Sequence, residues 1–119
     1  MAGQRLESLG QKQRRFTRMV AKLIEYAYDS GYELTFGDAY RDPRLHGQPG
    51  TKAGYGHASS NHKIRLAVDF NLFKDGVWLQ QTADHEPLGL FWENIGGAWG
   101  GRFKNADGNH YSLEHEGKK

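Results

Sequence analysis

The sequence has 119 residues, of which 16 are basic, 14 are acidic and none is cysteine, and its formal net charge is +2. This length fits a single domain spanning residues 1–119. The absence of cysteine excludes disulfides, thiolate zinc sites and cysteine nucleophiles. The small net charge is unlike that of a dedicated nucleic-acid binder, so no nucleic-acid partner is expected. Because the sequence has no cysteine, any metal must be held by His, Asp or Glu side chains.

The N-terminal segment lacks the apolar run of a secretory signal peptide. No stretch of 18 apolar residues that could span a membrane occurs anywhere in the sequence. We therefore expect a monomeric protein that is made in the cytoplasm without membrane insertion. If it acts elsewhere, a device other than a Sec signal must deliver it.

The first predicted element is a helix over residues 8–28. Ser8 followed by Gln11 predicts a capping box at its start. Residues 32–36 alternate in polarity and predict a strand. Residues 37–61 contain five glycines and two prolines and predict a long irregular connection, a type of segment that is often functional. The apolar residues that recur at helical spacing are Phe16, Met19, Val20, Leu23, Ile24 and Ala27.

The second half of the sequence predicts strands around one short helix. Residues 66–73 form the clearest strand, in which Asp69 lies on the face opposite the apolar residues. A turn then leads to residues 77–79, which are predicted to pair with this strand as a hairpin. Asp84 is predicted to cap a helix that ends at residues 96–97, and residues 110–113 predict a last strand.

Three polar side chains are candidates for a metal site. His62 precedes Asp69 by seven residues, and His110 opens the last predicted strand. Two imidazoles and one carboxylate are typical ligands of a catalytic zinc ion with one position left for water. Asp107, three residues before His110, could act as a general base if a tight turn joins them. Spacing alone leaves open that Asp69 is an ordinary surface residue, because six histidines allow many such combinations.

Two longer motifs carry a family resemblance. Residues 60–69, S-N-H-K-I-R-L-A-V-D, resemble the S-x-H-x-x-G-x-A-x-D signature of zinc D-Ala-D-Ala carboxypeptidases and L-alanyl-D-glutamate peptidases, the VanY-like metallopeptidases. Residues 107–110, D-G-N-H, resemble the second signature of that family, which ends in the last metal ligand. Tyr40-Arg41 resembles its Tyr/Phe-Arg pair. The three motifs occur in the order found in the family.

The resemblance implies a role for each matching residue. His62, Asp69 and His110 would hold Zn²⁺, and Asp107 would be the general base. Arg41 would polarise the scissile carbonyl and stabilise the oxyanion.

The sequence departs from the family pattern at two positions. Arg65 stands where the first signature has glycine. Either the backbone there needs no positive φ, or the bend before the strand differs. The usual tryptophan before the second signature is displaced, and Trp99 is the nearest candidate.

The resemblance implies an α+β fold, in which helices pack on one face of a small, mainly antiparallel sheet and a zinc cleft lies on the other. It implies a zinc metallopeptidase that hydrolyses bacterial peptidoglycan stem peptides at the cell wall, as an L-alanyl-D-glutamate endopeptidase of the phage or prophage endolysin type. Three alternatives remain open. They are a D-Ala-D-Ala carboxypeptidase or dipeptidase, a metal-dependent nuclease suggested by Asn61-His62 and Asn109-His110, and a non-catalytic wall-binding or virion module.

The remaining histidines receive simpler interpretations. His46 and His57 fall in the long connection and are expected to be exposed to solvent. His85 is expected at a helix start. Residues 114–116, Glu-His-Glu, are not expected to form one metal site, because adjacent residues of a strand point to opposite faces.

Overall fold

The computed structural model describes residues 7–37 and 61–119. Two 3₁₀ turns accompany the regular elements, at Thr82–His85 and Gly100–Arg102. In the described ranges, neither helix is both long and apolar enough to cross a membrane. The helices are α1 (Leu9–Asp29) and α2 (Glu86–Asn94), and the strands are β1 (Glu33–Phe36), β2 (Ala67–Lys74), β3 (Val77–Leu79), β4 (Ala98–Trp99) and β5 (His110–Ser112).

Helix α1 begins at the predicted capping box. The Ser8 hydroxyl accepts a hydrogen bond from the Gln11 backbone N–H at 3.1 Å, and the Gln11 side chain accepts one from the Ser8 backbone N–H at 2.8 Å. These bonds satisfy donors that the first turn of a helix leaves without partners. The helix ends before Gly31, whose φ of 90° is readily adopted only by glycine. The predicted helix is thus confirmed, displaced by one residue at each end.

All pairs of strands in the described sheet are antiparallel, in the order β1-β2-β5-β4, with β3 also paired to β2. One edge of β2 pairs with β1. The other edge pairs first with β5, at residues 67–69, and then with β3, at residues 72–74. Strand β2 is therefore the centre of the sheet, and it leaves a gap at residues 70–71 between β5 and β3.

The core lies between one face of the sheet and the two helices. As predicted, every second residue of this segment points into the core: residue 66, just before β2, and residues 68, 70 and 72 within it. Phe16 of α1 meets Trp92 of α2 edge to face, with ring centroids 5.7 Å apart. This arrangement confirms the predicted α+β fold with a small antiparallel sheet and helices on one face. The largest fully buried apolar side chains are Leu23, Leu66, Phe70, Leu72, Leu88, Trp92 and Tyr111.

Several details differ from the sequence prediction. Asp84 does not cap α2, because it lies in the preceding 3₁₀ turn and its carboxylate accepts a hydrogen bond from the Gln81 backbone N–H. His85 occupies the N-cap position of α2 instead. Strand β5 ends at Ser112, one residue earlier than predicted. Strand β4 was not predicted, because two residues are too few to display a period.

Candidate active site

Two of the candidate metal ligands face each other across the sheet. Asp69 of β2 and His110 of β5 are directly opposite in the antiparallel register. Because opposite residues of an antiparallel pair project to the same face, their side chains meet. Asp69 Oδ1 lies 3.4 Å from His110 Nδ1. The strand pairing thus brings together residues that are 41 positions apart in the sequence.

The third candidate, His62, lies in the turn that leads into β2. The Asn61 carbonyl accepts hydrogen bonds from the backbone N–H groups of Ile64 and Leu66, at 3.3 and 2.8 Å. This turn directs the His62 ring at β2, where Nε2 lies 3.4 Å from Asp69 Oδ1. The rings of His62 and His110 are 5.1 Å apart between centroids.

The geometry of these three side chains fits a zinc ion. Among the described residues, they form the one group of three or more His, Asp or Glu side chains whose ligand atoms lie within 4.8 Å of one another. Tetrahedral ligands about 2.0–2.1 Å from zinc are about 3.3–3.4 Å apart. Both nitrogen-to-oxygen distances at Asp69 Oδ1 have this value. The set of donors, two imidazoles and one carboxylate, is also that of catalytic zinc sites.

The three candidate ligands are almost completely buried. Relative exposure is 1% for His62 and 6% for both Asp69 and His110. Burial works to raise the pKa of Asp69, but the hydrogen bonds and charges of His110 and His62 outweigh it and hold that pKa below its usual value. Asp69 is therefore held as a carboxylate, the form that binds metal.

Arg65 adopts a backbone conformation that normally favours glycine. Its φ is +56°, in the left-handed region. The bend before β2 thus keeps the positive φ expected of the signature glycine, although this sequence places an arginine there. Of the two explanations given for this departure, the first, that the backbone needs no positive φ, is wrong.

The turn that carries Asp107 is built as the sequence predicts. The His110 backbone N–H donates to the Asp107 carbonyl at 3.1 Å, which closes the four-residue turn. The Trp99 indole N–H and the Thr82 hydroxyl hold Gly108 from two sides, at 2.7 and 3.2 Å. A Cβ atom at Gly108 would lie 2.6 Å from the Thr82 Cα, so only glycine fits there. Trp99 therefore supports the turn.

Asp107 itself lies outside the group of three ligand atoms. It is half-buried and lines a cavity of about 260 Å³, which also borders Phe70 and Asn109, the chain neighbours of Asp69 and His110. Asp107 thus lies in the turn that leads to His110 without being one of the three clustered donors. Glu114 is exposed beyond the end of β5, with its carboxylate 4.0 Å from the Lys119 Nζ.

Asn61, which the sequence suggested only as part of a nuclease-like Asn-His pair, supports the turn that carries His62. Its side-chain amide is buried and donates to the carbonyls of Leu113 and Lys118, at 3.0 and 2.9 Å. These bonds tie the turn of His62 to the C-terminal segment. Its position next to a ligand was visible in the sequence, but its partners, 52 and 57 residues away, were not.

Other residues singled out in the sequence fall away from this site. Residues 114–116 do not form a metal group, and the His115 Nδ1 lies 3.1 Å from the Lys12 Nζ. His85 is buried at the start of α2, with its Nδ1 2.7 Å from the Tyr111 hydroxyl. Tyr40, Arg41, His46 and His57 lie outside the described residues.

Comparison with known proteins identifies the family. Residues 53–113, just over half of the chain, match the sequence model of a family described as D-alanyl-D-alanine carboxypeptidase. The matched segment contains both signatures and begins after Arg41. The chain belongs to this family. It is a VanY-like peptidase of a family that acts on peptidoglycan, and the resemblance of residues 60–69 and 107–110 is confirmed.

A solved structure has the same fold as this peptidase. The crystal structure of the Serratia marcescens L-Ala D-Glu endopeptidase ChiX matches with a TM-score of 0.62 and 17% sequence identity, over 95% of this chain and 92% of that one. At this identity the match establishes the fold alone. No curated protein matches the sequence.

Proposed function

We propose that the protein is a zinc endopeptidase that cleaves the L-alanyl-D-glutamate bond of peptidoglycan stem peptides. The observation that carries this proposal is the pair of 3.4 Å distances from Asp69 Oδ1 to His62 Nε2 and His110 Nδ1, which suit adjacent ligands of one zinc ion. His62, Asp69 and His110 would hold the ion. When bound, zinc supplies a Lewis acid for the carbonyl and lowers the pKa of a water molecule toward neutrality.

The chain's own residues would handle the protons and the developing charge. Asp107 would accept a proton from the attacking water and return it to the leaving amine, a role supported by its half-buried position in the turn that leads to His110. Arg41 would hold the substrate carbonyl and stabilise its developing negative charge. The role of Arg41 rests on the sequence motif, since this residue lies outside the described ranges.

The choice of bond is part of the proposal. The fold of an L-Ala D-Glu endopeptidase supports this bond, although at 17% identity a fold does not determine specificity. The description of the matching family favours a second candidate, D-Ala-D-Ala carboxypeptidase activity with the same chemistry.

The experiment that separates the two candidates is digestion of purified muropeptides followed by mass spectrometry. We expect products with a new D-glutamyl amino terminus and no released D-alanine. A parallel digestion with chelator should leave the muropeptides intact. Release of D-alanine from shortened muropeptides, without any new D-glutamyl amino terminus, would assign the second candidate activity and overturn the proposed one.

We further propose that the protein acts at the cell wall as a lysis enzyme of the phage or prophage type. Turbidity of outer-membrane-permeabilised cells should fall on addition of the protein, and chelator should prevent the fall. Binding of purified peptidoglycan without either turbidity loss or new amino termini would instead assign a non-catalytic wall-binding module.

A further inference from the structure

A notch interrupts the sheet beside the candidate metal site. The edge of β2 that pairs with β5 up to Asp69 pairs with β3 only from Leu72, so Phe70 and Asn71 lie between the two strands. They line a cavity of about 260 Å³, here called the notch. Its described lining consists of Phe70, Asn71, Trp78, Leu79, Gln80, Thr82, His85 and residues 106–109.

The notch directly adjoins the ligands. Phe70 follows Asp69 in β2, and Asn109 precedes His110. The Phe70 backbone N–H donates to the Asn109 carbonyl at 3.0 Å, which marks the end of the notch nearest the ligands. Asp107, the proposed base, lines the notch itself. Along both β2 and the chain before β5, the notch therefore begins one residue from a candidate ligand.

The notch combines amide side chains with one accessible aromatic ring. Asn71, Gln80 and Asn109 are residues with side-chain amides, which both donate and accept hydrogen bonds, and the Asn71 amide nitrogen also donates to Thr35 Oγ1 at 3.2 Å. Trp78 is 52% exposed and lines the notch, whereas Trp92 and Trp99 are buried. An exposed indole together with nearby amide residues suits a ligand that is polar at its edges and apolar on its faces. A sugar ring has this character.

The charge of the notch argues against an anionic ligand. None of its described lining residues is Lys or Arg. Burial lowers the pKa of His85 to about 4, so this imidazole is neutral near pH 7, and Asp107 contributes a negative charge. The free carboxylates of D-glutamate or of a terminal D-alanine would find no cation among these residues. An uncharged N-acetylated sugar avoids that cost.

We propose that the notch binds the N-acetylmuramyl sugar from which the stem peptide extends, with Trp78 against the sugar ring. This inference rests on the proposed function, because the sugar is joined through its lactyl group to L-alanine and lies one residue from the L-alanyl-D-glutamate bond. The D-Ala–D-Ala bond lies at the other end of the stem. The notch would thus select the first peptide bond of the stem, between L-alanine and D-glutamate.

A binding experiment tests the notch without any cleavage. N-acetylmuramyl-L-alanine and lactoyl-L-alanine both end before the scissile bond and differ only in the sugar. Acrylamide quenching of tryptophan fluorescence reports chiefly on Trp78, the exposed tryptophan. The muramyl ligand should protect this fluorescence from quenching, and the lactoyl ligand should not. Equal protection by both ligands, or by neither, would overturn the assignment.

A kinetic experiment uses the corresponding substrate pair, extended by D-glutamate and the rest of the stem. Trp78→Ala should raise KM about tenfold for the muramyl substrate, with kcat little changed, and by less than about twofold for the lactoyl substrate. Val77→Ala is the matched control, because Val77 is similarly exposed and precedes Trp78 in β3 but is not among the described residues that line the notch. It should change neither KM. Equal losses on both substrates with Trp78→Ala would contradict the proposal.

Together with the muropeptide digestion, the two experiments also separate this inference from the proposed function. Muramyl-specific protection of Trp78 together with release of D-alanine alone would support the notch and reject the proposed bond. Cleavage at L-alanyl-D-glutamate with the same KM for both substrates would support the bond and reject the notch.

Discussion

Asp69 and His110 are paired directly across β2 and β5, and this register places the Asp69 carboxylate 3.4 Å from the His110 ring. Side chains alternate between the two faces of a strand, so a shift of one residue would move one of these groups to the other face. The turn held by Trp99 and Thr82 fixes where β5 begins. The register is therefore what assembles two of the three candidate ligands.

The structure separates the two acidic residues that flank His110. Asp107 lines the notch beside the ligands, whereas Glu114 is exposed beyond β5 and near Lys119. We expect Asp107→Asn to retain the fold and zinc but to lose about three orders of magnitude in kcat, because an amide does not accept the proton. Glu114→Gln should remain within about tenfold of the parent. Steady-state kinetics with zinc analysis checks both variants, and the reverse pattern would move the base to Glu114.

The positive φ of Arg65 predicts a gain in stability. A non-glycine residue in the left-handed region costs about 1–2 kcal/mol. Arg65→Gly should therefore be more stable to urea than Arg65→Ala by about 1 kcal/mol, although glycine is usually the less stable of the two. Comparison with alanine removes any effect of the arginine side chain. Asp75, with φ 53° in the β2–β3 turn, offers a second test of the same substitution pair. Greater stability of Arg65→Ala would contradict the backbone argument.

Buried His85 predicts a loss of stability in acid. Burial lowers its pKa from 6.5 to about 4, against the opposing charge of Asp84. Between these values the unfolded chain binds the proton and the folded chain does not, so stability is complete above about pH 6.5 and falls as pH decreases toward 4. By pH 4.5 this should remove about 2 kcal/mol from the free energy of unfolding.

The matched variant for this test is His85→Gln, which lacks the titrating group. Urea unfolding at pH 7 and pH 4.5 should show that the parent loses about 2 kcal/mol more than the variant over this interval. Equal losses in the two proteins would mean that His85 already accepts a proton in the folded state.

The hydrogen bonds of the Asn61 side chain link the C-terminal segment to the His62 turn. Asn61→Ala removes two buried hydrogen bonds to Leu113 and Lys118, so the free energy of unfolding should fall by about 2 kcal/mol. Zinc affinity should also fall, by about tenfold, as for other residues that orient a ligand. Asn71→Ala is the control, since its hydrogen bond to Thr35 is exposed and should cost less than about 0.5 kcal/mol. Equal effects of the two variants on unfolding would contradict the role of Asn61.

The sequence predicted those parts of the molecule that depend on local pattern. The apolar stripe of α1, its capping box and the alternation in β2 could all be predicted from the sequence. The two signatures pointed to His62, Asp69 and His110. The sequence placed Asp69 on the face opposite the core but did not reveal its burial, because the rings that surround it come from other segments.

Features that depend on partners far apart in the sequence could not be predicted. The hydrogen bonds of Asn61 join segments more than 50 residues apart. The notch arises because β3 and β5 share one edge of β2 without meeting. Arg65 was recognisable from the sequence as a departure from the signature, but only the structure shows that it adopts the positive φ expected of glycine.

The central claim is that His62, Asp69 and His110 hold one zinc ion on which peptidase activity depends. It is tested most directly by titrating zinc into chelator-treated protein while measuring release of new D-glutamyl amino termini from muropeptides. Activity should rise from near zero and reach its maximum at about one zinc per chain. His62→Ala and His110→Ala should not respond, and His115→Ala, which lies outside the site, should follow the parent. Full activity without zinc, or a parent-like titration of His62→Ala, would contradict the account.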